Sequence, residues 1–209
     1  MYRGIMSKQD FIPSGNERLD SQLLFTAEID QLTQIARRTV LIDKSRREND
    51  AEHSWHIAVM AMLFKEYVKE PVDVGRVVQM CVVHDLIEIY AGDTFAYDEK
   101  GNMDKEERER LAADKLFSLI PEEQGKMIRD LWEEFDAMET ADSKYAACMD
   151  RLQPFYHNTL TDGHTWVEGN ATRAAVEKRM AVIKDFMPEV YKWMDKNMDA
   201  AVEKGWLRP

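Results

Sequence analysis

The sequence predicts an all-α protein, a single bundle of about eight helices, and three observations support this fold class. Apolar residues recur at intervals of three and four positions along most of the 209 residues, the spacing that places them on one face of a helix. Asn, Asp, Pro and Gly stand where these segments should begin or end. No stretch alternates apolar and polar residues as a half-buried strand does. A chain of this length is expected to form one domain with a sizeable core.

The N-terminal region is expected to contain a lead-in segment and a first helix. Residues 1–18 show no periodicity and are predicted to be a loose lead-in, so the domain itself is expected to span 19–209. Apolar residues at helical spacing from Leu19 onward predict an amphipathic helix that ends near Arg37 or Arg38.

Two further helices are predicted in the first half of the chain. Asn49 or Asp50 caps the second helix, which is expected to run to about Lys69. Its predicted apolar stripe consists of Trp55, Val59, Met62, Leu63 and Phe64. Asp73 caps the third helix, which is expected to end at Gly92. That helix is apolar on almost every side, so it is predicted to lie at the centre of the fold.

Further helices are predicted in the second half, separated by two loops. The helices cover about 104–119, 121–138, 142–158 and the stretches on either side of Pro188, and the loops cover about 93–102 and 161–169. The helices at 104–119 and 121–138 are rich in charged residues and are expected to lie outside the central core.

The charge of the chain narrows the classes of function. A formal net charge of −11 argues against a polynucleotide partner, because such binding depends on Lys and Arg that displace counterions from phosphates. A small anionic substrate is compatible with this charge, since a metal ion and one or two arginines make a pocket locally positive.

The remaining composition favours a cytoplasmic protein without a membrane partner. Cys81 and Cys148 lie in apolar helical patterns and are expected to be buried free thiols in a reducing compartment. No apolar run approaches the roughly 20 residues that span a bilayer, and no signal peptide is recognisable.

The adjacent pair His84 and Asp85 lies in the most apolar helix of the chain. A charged carboxylate in such surroundings needs a partner or a metal to offset its desolvation. Glu88 follows one turn later and is expected to lie on the same side of the helix. An isolated His-Asp pair is more often a helix end bonded to a nearby Arg, whereas three polar groups on one buried face indicate a site.

Two further residues complete a predicted metal site. His53 opens the preceding helix, and antiparallel packing of the two helices would bring it near His84. Asp150 interrupts an apolar helical run, although an Asp paired with the neighbouring Arg at the surface is the alternative interpretation. Two imidazoles and two carboxylates suit one divalent ion with open coordination positions, such as manganese, cobalt, iron, zinc or magnesium. The expected ligands are therefore His53, His84, Asp85 and Asp150.

The ordered set of these four residues resembles the signature of the HD-domain phosphohydrolases. Three segments also resemble the subgroup that contains the 5'-deoxynucleotidases: residues 46–54, residues 84–88 with Gly92-Asp93, and residues 150–154. The resemblance runs from about Leu32 to about Pro154, and less clearly to Met187. It implies a helical HD domain that hydrolyses deoxynucleoside 5'-monophosphates to deoxynucleosides and phosphate.

The resemblance also implies roles for residues around the metal. Glu88 and Asp93 match the acidic residues that handle the attacking water and the leaving oxygen, with acid and base left unassigned. An Arg before the second helix is expected to contact the phosphate, and Arg37, Arg38 and Arg46 are the candidates. A homodimer is implied as well.

Several alternatives stay open at this point. The same metal site could serve a cyclic-nucleotide phosphodiesterase or a hydrolase of nucleoside triphosphates or alarmones. A metal-bearing binding or regulatory module without turnover is the alternative from another class, and the presence of Glu88 and Asp93 argues against it.

Other histidines and the aromatic residues have simpler interpretations. His56 is expected to line the pocket rather than to bind the metal, and His157 and His164 are expected to be exposed or locally hydrogen-bonded. The aromatic rings expected to pack in the core are mainly those of Trp55, Phe64, Trp132, Phe135, Trp166 and Trp193.

Overall fold

Helices make up most of the structure, a computed structural model that describes residues 11–93 and 103–209. In chain order the helices are α1 (Glu17–Ile29), α2 (Asp50–Leu63), α3 (Val74–Val83), α4 (Glu88–Ala91), α5 (Lys105–Phe117), α6 (Glu122–Ala137), α7 (Ala141–Leu160), α8 (His164–Glu168), α9 (Arg173–Arg179), α10 (Ala181–Phe186) and α11 (Pro188–Glu203). Seven of these described helices have ten residues or more, and the all-α prediction is confirmed. Residues 1–10 of the predicted lead-in and 94–102 of the predicted loop lie outside the described residues.

A short β-hairpin follows α1. The helix ends at Ile29, a 3₁₀ turn covers Asp30–Gln34, and the chain then becomes extended. Strand β1 (Ala36–Val40) pairs antiparallel with β2 (Arg47–Asn49). The expectation that the chain has no strands is therefore wrong.

The hairpin also corrects the predicted end of the first helix, since Arg37 and Arg38 lie in β1. Strands of five and three residues are too short for an alternating pattern to stand out in the sequence. The β-branched Thr39 and Val40 are buried and favour an extended backbone. The hairpin leads directly into α2 and so fixes where that helix begins.

Helix α2 begins with a capping box. The Asn49 side chain accepts a hydrogen bond from the Glu52 backbone N–H, and the Glu52 carboxylate accepts one from the Asn49 N–H. The helix ends at Leu63, and a 3₁₀ turn covers Phe64–Tyr67 before the predicted end near Lys69. The cap confirms Asn49 as the start that the sequence indicates.

The buried face of α2 is not the predicted one. Trp55, Met62 and Leu63 are 67%, 60% and 65% exposed, whereas His53 and Ala61 are fully buried. The face that packs against α3 and α7 carries Ile57 and Met60 beside His53, whose imidazole finds partners there. Three residues of the predicted stripe therefore face outward, whereas Val59 and Phe64 are half-buried.

Helix α3 lies at the centre of the fold, as predicted. Val77, Met80 and Cys81 are fully buried in a hydrophobic core that also contains residues of α2, α7, α10 and α11. A second core joins α1, α4 and α5 through Phe25, Ile89 and other apolar side chains. Helix α5 thus packs outside the larger core, as expected, whereas the same expectation is wrong for α6, which contributes Leu131 to that core.

The helix predicted to reach Gly92 is interrupted at residues 84–87. The Leu86 N–H donates to the Val83 carbonyl at 3.1 Å, and the Glu88 N–H donates to the Asp85 carbonyl at 2.9 Å. These bonds span three residues instead of four, so the backbone is tighter than in an α-helix. The interruption lies where the chain passes from the larger core to the second one.

Two smaller expectations have clear outcomes. Cys81 and Cys148 are buried free thiols, as expected. The loop predicted at 161–169 contains α8, because the Asn158 side-chain oxygen accepts hydrogen bonds from the Thr165 and Trp166 N–H groups and orders this segment.

None of the helices in the described ranges combines the length and the hydropathy needed to cross a membrane.

Tyr145→Phe is expected to lower the free energy of unfolding by about 1 kcal/mol, the usual net contribution of one buried hydrogen bond. The buried Tyr145 hydroxyl donates to the Ala61 carbonyl at 2.7 Å and so links α7 to α2. Urea denaturation measures the change. Tyr156→Phe, on the partly exposed side of the same helix, is the matched control, and equal stabilities of the two variants would contradict the assigned contribution.

Candidate metal centre

Three elements bring the four predicted ligands together. His53 lies in the first turn of α2, His84 and Asp85 follow the end of α3, and Asp150 lies in the middle of α7. His53 Nε2 is 3.1 Å from Asp150 Oδ1, and His84 Nε2 is 3.8 Å from the same oxygen. Asp85 Oδ1 is 3.0 Å from His84 Nε2. The four side chains therefore surround one small volume.

Hydrogen bonds on the far side of each ring leave both Nε2 atoms without a proton in the neutral imidazoles. His84 Nδ1 lies 2.9 Å from the Cys81 carbonyl oxygen, which can only accept, so Nδ1 carries the proton. His53 Nδ1 lies 3.1 Å from the side-chain oxygen of Gln153, and the same reasoning applies. In the neutral rings both Nε2 lone pairs face carboxylate oxygens, so a positive charge, either a proton or a metal ion, has to lie between the two acceptors. This donor set fits a divalent metal with nitrogen and oxygen ligands.

The electrostatics of the site also favour positive charge. Burial and the nearby Arg37 guanidinium lower the pKa of His53 to about 4, so this ring is neutral at pH 7. Burial opposes protonation of His84, yet Asp85 and Asp150 raise its pKa to about 10. Burial also opposes ionisation of Asp150, but its contacts with the two imidazoles hold the pKa of this carboxyl well below its usual value. The two carboxylates are thus anionic and attract a cation.

Arg37 connects the hairpin to the site. Its Nη1 is 2.7 Å from Asp85 Oδ2 and 3.1 Å from Asp50 Oδ1, and its side chain is largely buried. Arg46 instead donates to Glu52 at 2.8 Å on the surface. Of the three candidate arginines, Arg37 alone is among the described residues that line the site cavity.

Carboxyl groups with raised pKa values lie beside the predicted ligands. Glu88 is buried, and burial together with Asp85 and Asp50 raises its pKa well above the usual value. Burial and Asp85 raise the pKa of Asp50 to about 7. Burial raises the pKa of Asp93 as well. Raised pKa values of this kind suit carboxyl groups to proton transfer.

The cavity at this site has a volume of about 100 Å³. Sequence reasoning misses several residues that line it: Lys105, Glu109, Asp136 and Arg179, together with the rings of Trp132 and Phe135, which the sequence predicts to pack in the core. No spacing signal distinguishes these side chains from an ordinary solvated helix face. They add two basic groups, two acidic groups and an apolar wall, and the centroids of the Phe135 and His84 rings are 4.7 Å apart.

A larger cavity of about 620 Å³ lies on the other side of α2. Apolar and aromatic side chains dominate its lining, including Met60, Phe64 and Trp193, and His56 also lines it. It contains none of the predicted metal ligands. The size of a cavity therefore does not identify the reactive site in this protein.

Arg37→Met is expected to lower the free energy of unfolding of the metal-free protein by about 3 kcal/mol, because Asp50 and Asp85 would be left buried without a cation. Arg46→Met is the control, and removal of its exposed pair with Glu52 should cost less than about 1 kcal/mol. Urea denaturation of both variants measures the difference. Equal losses would mean that Arg37 contributes no more than a surface pair does.

Comparison with known proteins points to one family. A family model described as HD domain matches residues 29–191. The human and bovine proteins named 5'-deoxynucleotidase HDDC2 are each 30% identical to this chain, over 134 and 132 residues. These matches cover 64% and 63% of this chain and the same shares of the relatives, so the chain spans less than two thirds of the length of these curated relatives.

Solved structures agree with this comparison. A protein described as a predicted metal-dependent phosphohydrolase from Magnetospirillum magnetotacticum is 49% identical and covers 95% of this chain and 100% of its own, with a TM-score of 0.88. An HD-domain phosphohydrolase from Listeria innocua shares the fold at 19% identity and a TM-score of 0.56, over 88% of this chain and 86% of its own.

Proposed function

The chain belongs to the HD-domain family, and from that premise we propose that it is a metal-dependent phosphohydrolase that releases phosphate from deoxynucleoside 5'-monophosphates. The observation that carries the proposal is the pair of Nε2 atoms of His53 and His84 that face the Asp85 and Asp150 carboxylates, where a metal ion can take the place of a proton, with Arg37 adjacent. The human relative named 5'-deoxynucleotidase HDDC2 and the metal-dependent phosphohydrolase from Magnetospirillum support the reaction class.

His53, His84, Asp85 and Asp150 would hold one divalent ion per chain. When bound, such an ion supplies Lewis acidity that activates a water molecule and polarises the phosphoryl group. Manganese, cobalt, iron, zinc and magnesium are all compatible with two imidazoles and two carboxylates. The protein's own residues supply the remaining requirements of phosphoryl transfer, which are positioning and charge neutralisation.

Arg37 is the residue we assign to the phosphate. Its Nε is buried and has no hydrogen-bond partner among the described residues, so it can donate to a phosphate oxygen. Lys105 and Arg179 line the same cavity, where Lys105 pairs with Glu109 at 3.4 Å and Arg179 lies 3.7 Å from Asp150. A cavity of about 100 Å³ is smaller than the usual site for a whole small-molecule ligand. It suits one phosphoryl group, with the nucleoside extending outward, and favours monoesters over a triphosphate chain.

Glu88 and Asp93 are proposed to move protons. Burial favours the neutral form of the Glu88 carboxyl, and one of its oxygens has no partner among the described residues. A neutral carboxyl donates to the leaving oxygen, and its conjugate base accepts a proton from the attacking water. Glu88 is the first residue of α4 and Asp93 follows the end of that helix, so the two carboxyl groups line different parts of the cavity.

The reaction class is tested by phosphate release from a panel of nucleotides, assayed with manganese, cobalt, magnesium and zinc in turn. Deoxynucleoside 5'-monophosphates are expected to release phosphate, with slower release from cyclic nucleotides and triphosphates. Faster turnover of a diester or a triphosphate would replace the monoesterase proposal with one of its alternatives. Metal binding without release from any phosphate would favour a binding module.

Two substitutions separate the metal ligand from the proton-transfer residue. Asp150→Ala is expected to lose both bound metal and activity, because one ligand and one anionic charge disappear. Glu88→Gln should retain the metal and lower kcat at least 100-fold, the typical loss when proton transfer is removed. Metal content by atomic emission and kcat by phosphate release are the two measurements. Unchanged kcat in Glu88→Gln would remove Glu88 from the mechanism.

A cytoplasmic homodimer completes the proposal, and the dimer is supported by the family resemblance alone. Light scattering coupled to gel filtration measures the mass in solution, for which a value near twice 24.4 kDa is expected. A mass of one chain at assay concentrations would remove the dimer from the proposal without affecting the metal site.

A further inference from the structure

A buried amide stands behind the imidazole of His53. Gln153 lies on α7 one turn after Asp150, and its side chain is fully buried. Its Oε1 is 3.1 Å from His53 Nδ1, while Nε2 of the same ring faces Asp150. The amide therefore contacts the nitrogen that determines which tautomer His53 adopts.

Three polar atoms surround the nitrogen of this amide. Gln153 Nε2 is 2.6 Å from Glu48 Oε1, 3.1 Å from His157 Nε2 and 3.3 Å from His56 Nδ1. His157 Nδ1 is 3.0 Å from the Val40 carbonyl oxygen, which can only accept, so Nε2 of the neutral His157 ring must accept from the amide. An amide oxygen in this position would face two acceptors, the Glu48 oxygen and His157 Nε2. The amide is therefore held in one orientation, with its oxygen toward His53.

The same cluster also has the composition of a cation site, since Glu48, His56 and His157 each offer a ligand atom within 4.8 Å of the others. The Gln153 amide nitrogen already lies among them, and its two hydrogens satisfy two of the acceptors. A cation here would require the amide to rotate and to point its N–H groups at His53 Nδ1. Its presence is incompatible with the observed hydrogen bond to His53.

We propose that Gln153 is a positioning residue for the metal centre: held by Glu48 and His157, its amide fixes His53 as the Nδ1-protonated tautomer and so presents Nε2 to the metal. The inference rests on the proposed function, because it concerns the same metal ion. His84 needs no such residue, since its Nδ1 donates to a main-chain carbonyl. His53 is therefore the ligand whose tautomer depends on a side chain, and such outer contacts tune metal affinity.

Long-range ¹H–¹⁵N NMR spectra of the metal-free wild-type protein at pH 7 test the tautomer without any substitution. His53 is expected to show a protonated Nδ1 and an unprotonated Nε2. The opposite tautomer would overturn the proposal, because the amide nitrogen would then have to face His53. This measurement stands even if a variant fails to fold.

The affinity of the protein for Mn²⁺ tests whether Gln153, by fixing the tautomer of His53, strengthens metal binding. Gln153→Met removes the acceptor at similar side-chain length, and it should weaken Mn²⁺ binding 10- to 100-fold, the usual effect of losing such a contact. It should also give His53 a mixture of tautomers. Gln153→Glu keeps an oxygen for the His53 Nδ1–H and should bind Mn²⁺ more tightly than Gln153→Met does.

His56→Ala is the matched control for the amide cluster, because Glu48 and His157 would still orient Gln153, and its Mn²⁺ affinity should stay within about threefold of the wild type. Far-UV circular dichroism checks that each variant is folded. Wild-type affinity in folded Gln153→Met, or two Mn²⁺ ions per wild-type chain with one lost on His56→Ala, would overturn the proposal. Wild-type protein that binds Mn²⁺ but releases no phosphate would contradict only the proposed function.

Discussion

The rest of this structure depends on a charge constraint at the junction of α2, α3 and α7. Two imidazole Nε2 atoms and two carboxylates occupy the same buried volume, and each contact between them needs a proton or a metal ion to hold two acceptors together. Such an arrangement is costly in an interior unless a cation is bound. Arg37 offsets part of the negative charge from one side, through Asp85 and Asp50. The helices therefore hold in place a site whose own electrostatics would drive it apart, which is why each ligand comes from a rigid, well-packed element.

The part of the site that can be predicted from the sequence is the part that violates ordinary helix composition. His84, Asp85 and Asp150 are polar residues in apolar helical runs, so the sequence alone indicates that each needs a hydrogen-bond partner, an opposite charge or a metal ion. The face of α2 cannot be predicted in the same way, because it buries His53 and small residues and exposes Trp55. Periodicity identifies the larger apolar side chains, whereas packing against two neighbouring helices depends on close approach and on partners for the imidazole.

Other errors have a common origin in short-range geometry. The interruption at residues 84–87 involves only a shift from four-residue to three-residue hydrogen bonds, which leaves the apolar pattern unchanged. The hairpin contains strands too short to show alternation, so the sequence indicates three arginines without distinguishing among them. The structure distinguishes them by position, since Arg37 enters the site cavity and Arg46 pairs at the surface. Gln153 cannot be singled out from the sequence, because a glutamine within a helix has no compositional signal of its own.

The hairpin also connects the residue that we assign to phosphate with one of the predicted metal ligands. Arg37 extends from β1 to Asp85, and the carbonyl of Val40 in the same strand accepts from His157, which in turn orients Gln153 and through it His53. One five-residue strand therefore contacts the metal ligands twice, once through a charge and once through a chain of hydrogen bonds. A shift of this strand would move the residue assigned to phosphate and disturb the tautomer of a ligand at the same time. Arg37 and the hydrogen-bond chain to His53 thus both originate in β1, an element that periodicity does not reveal.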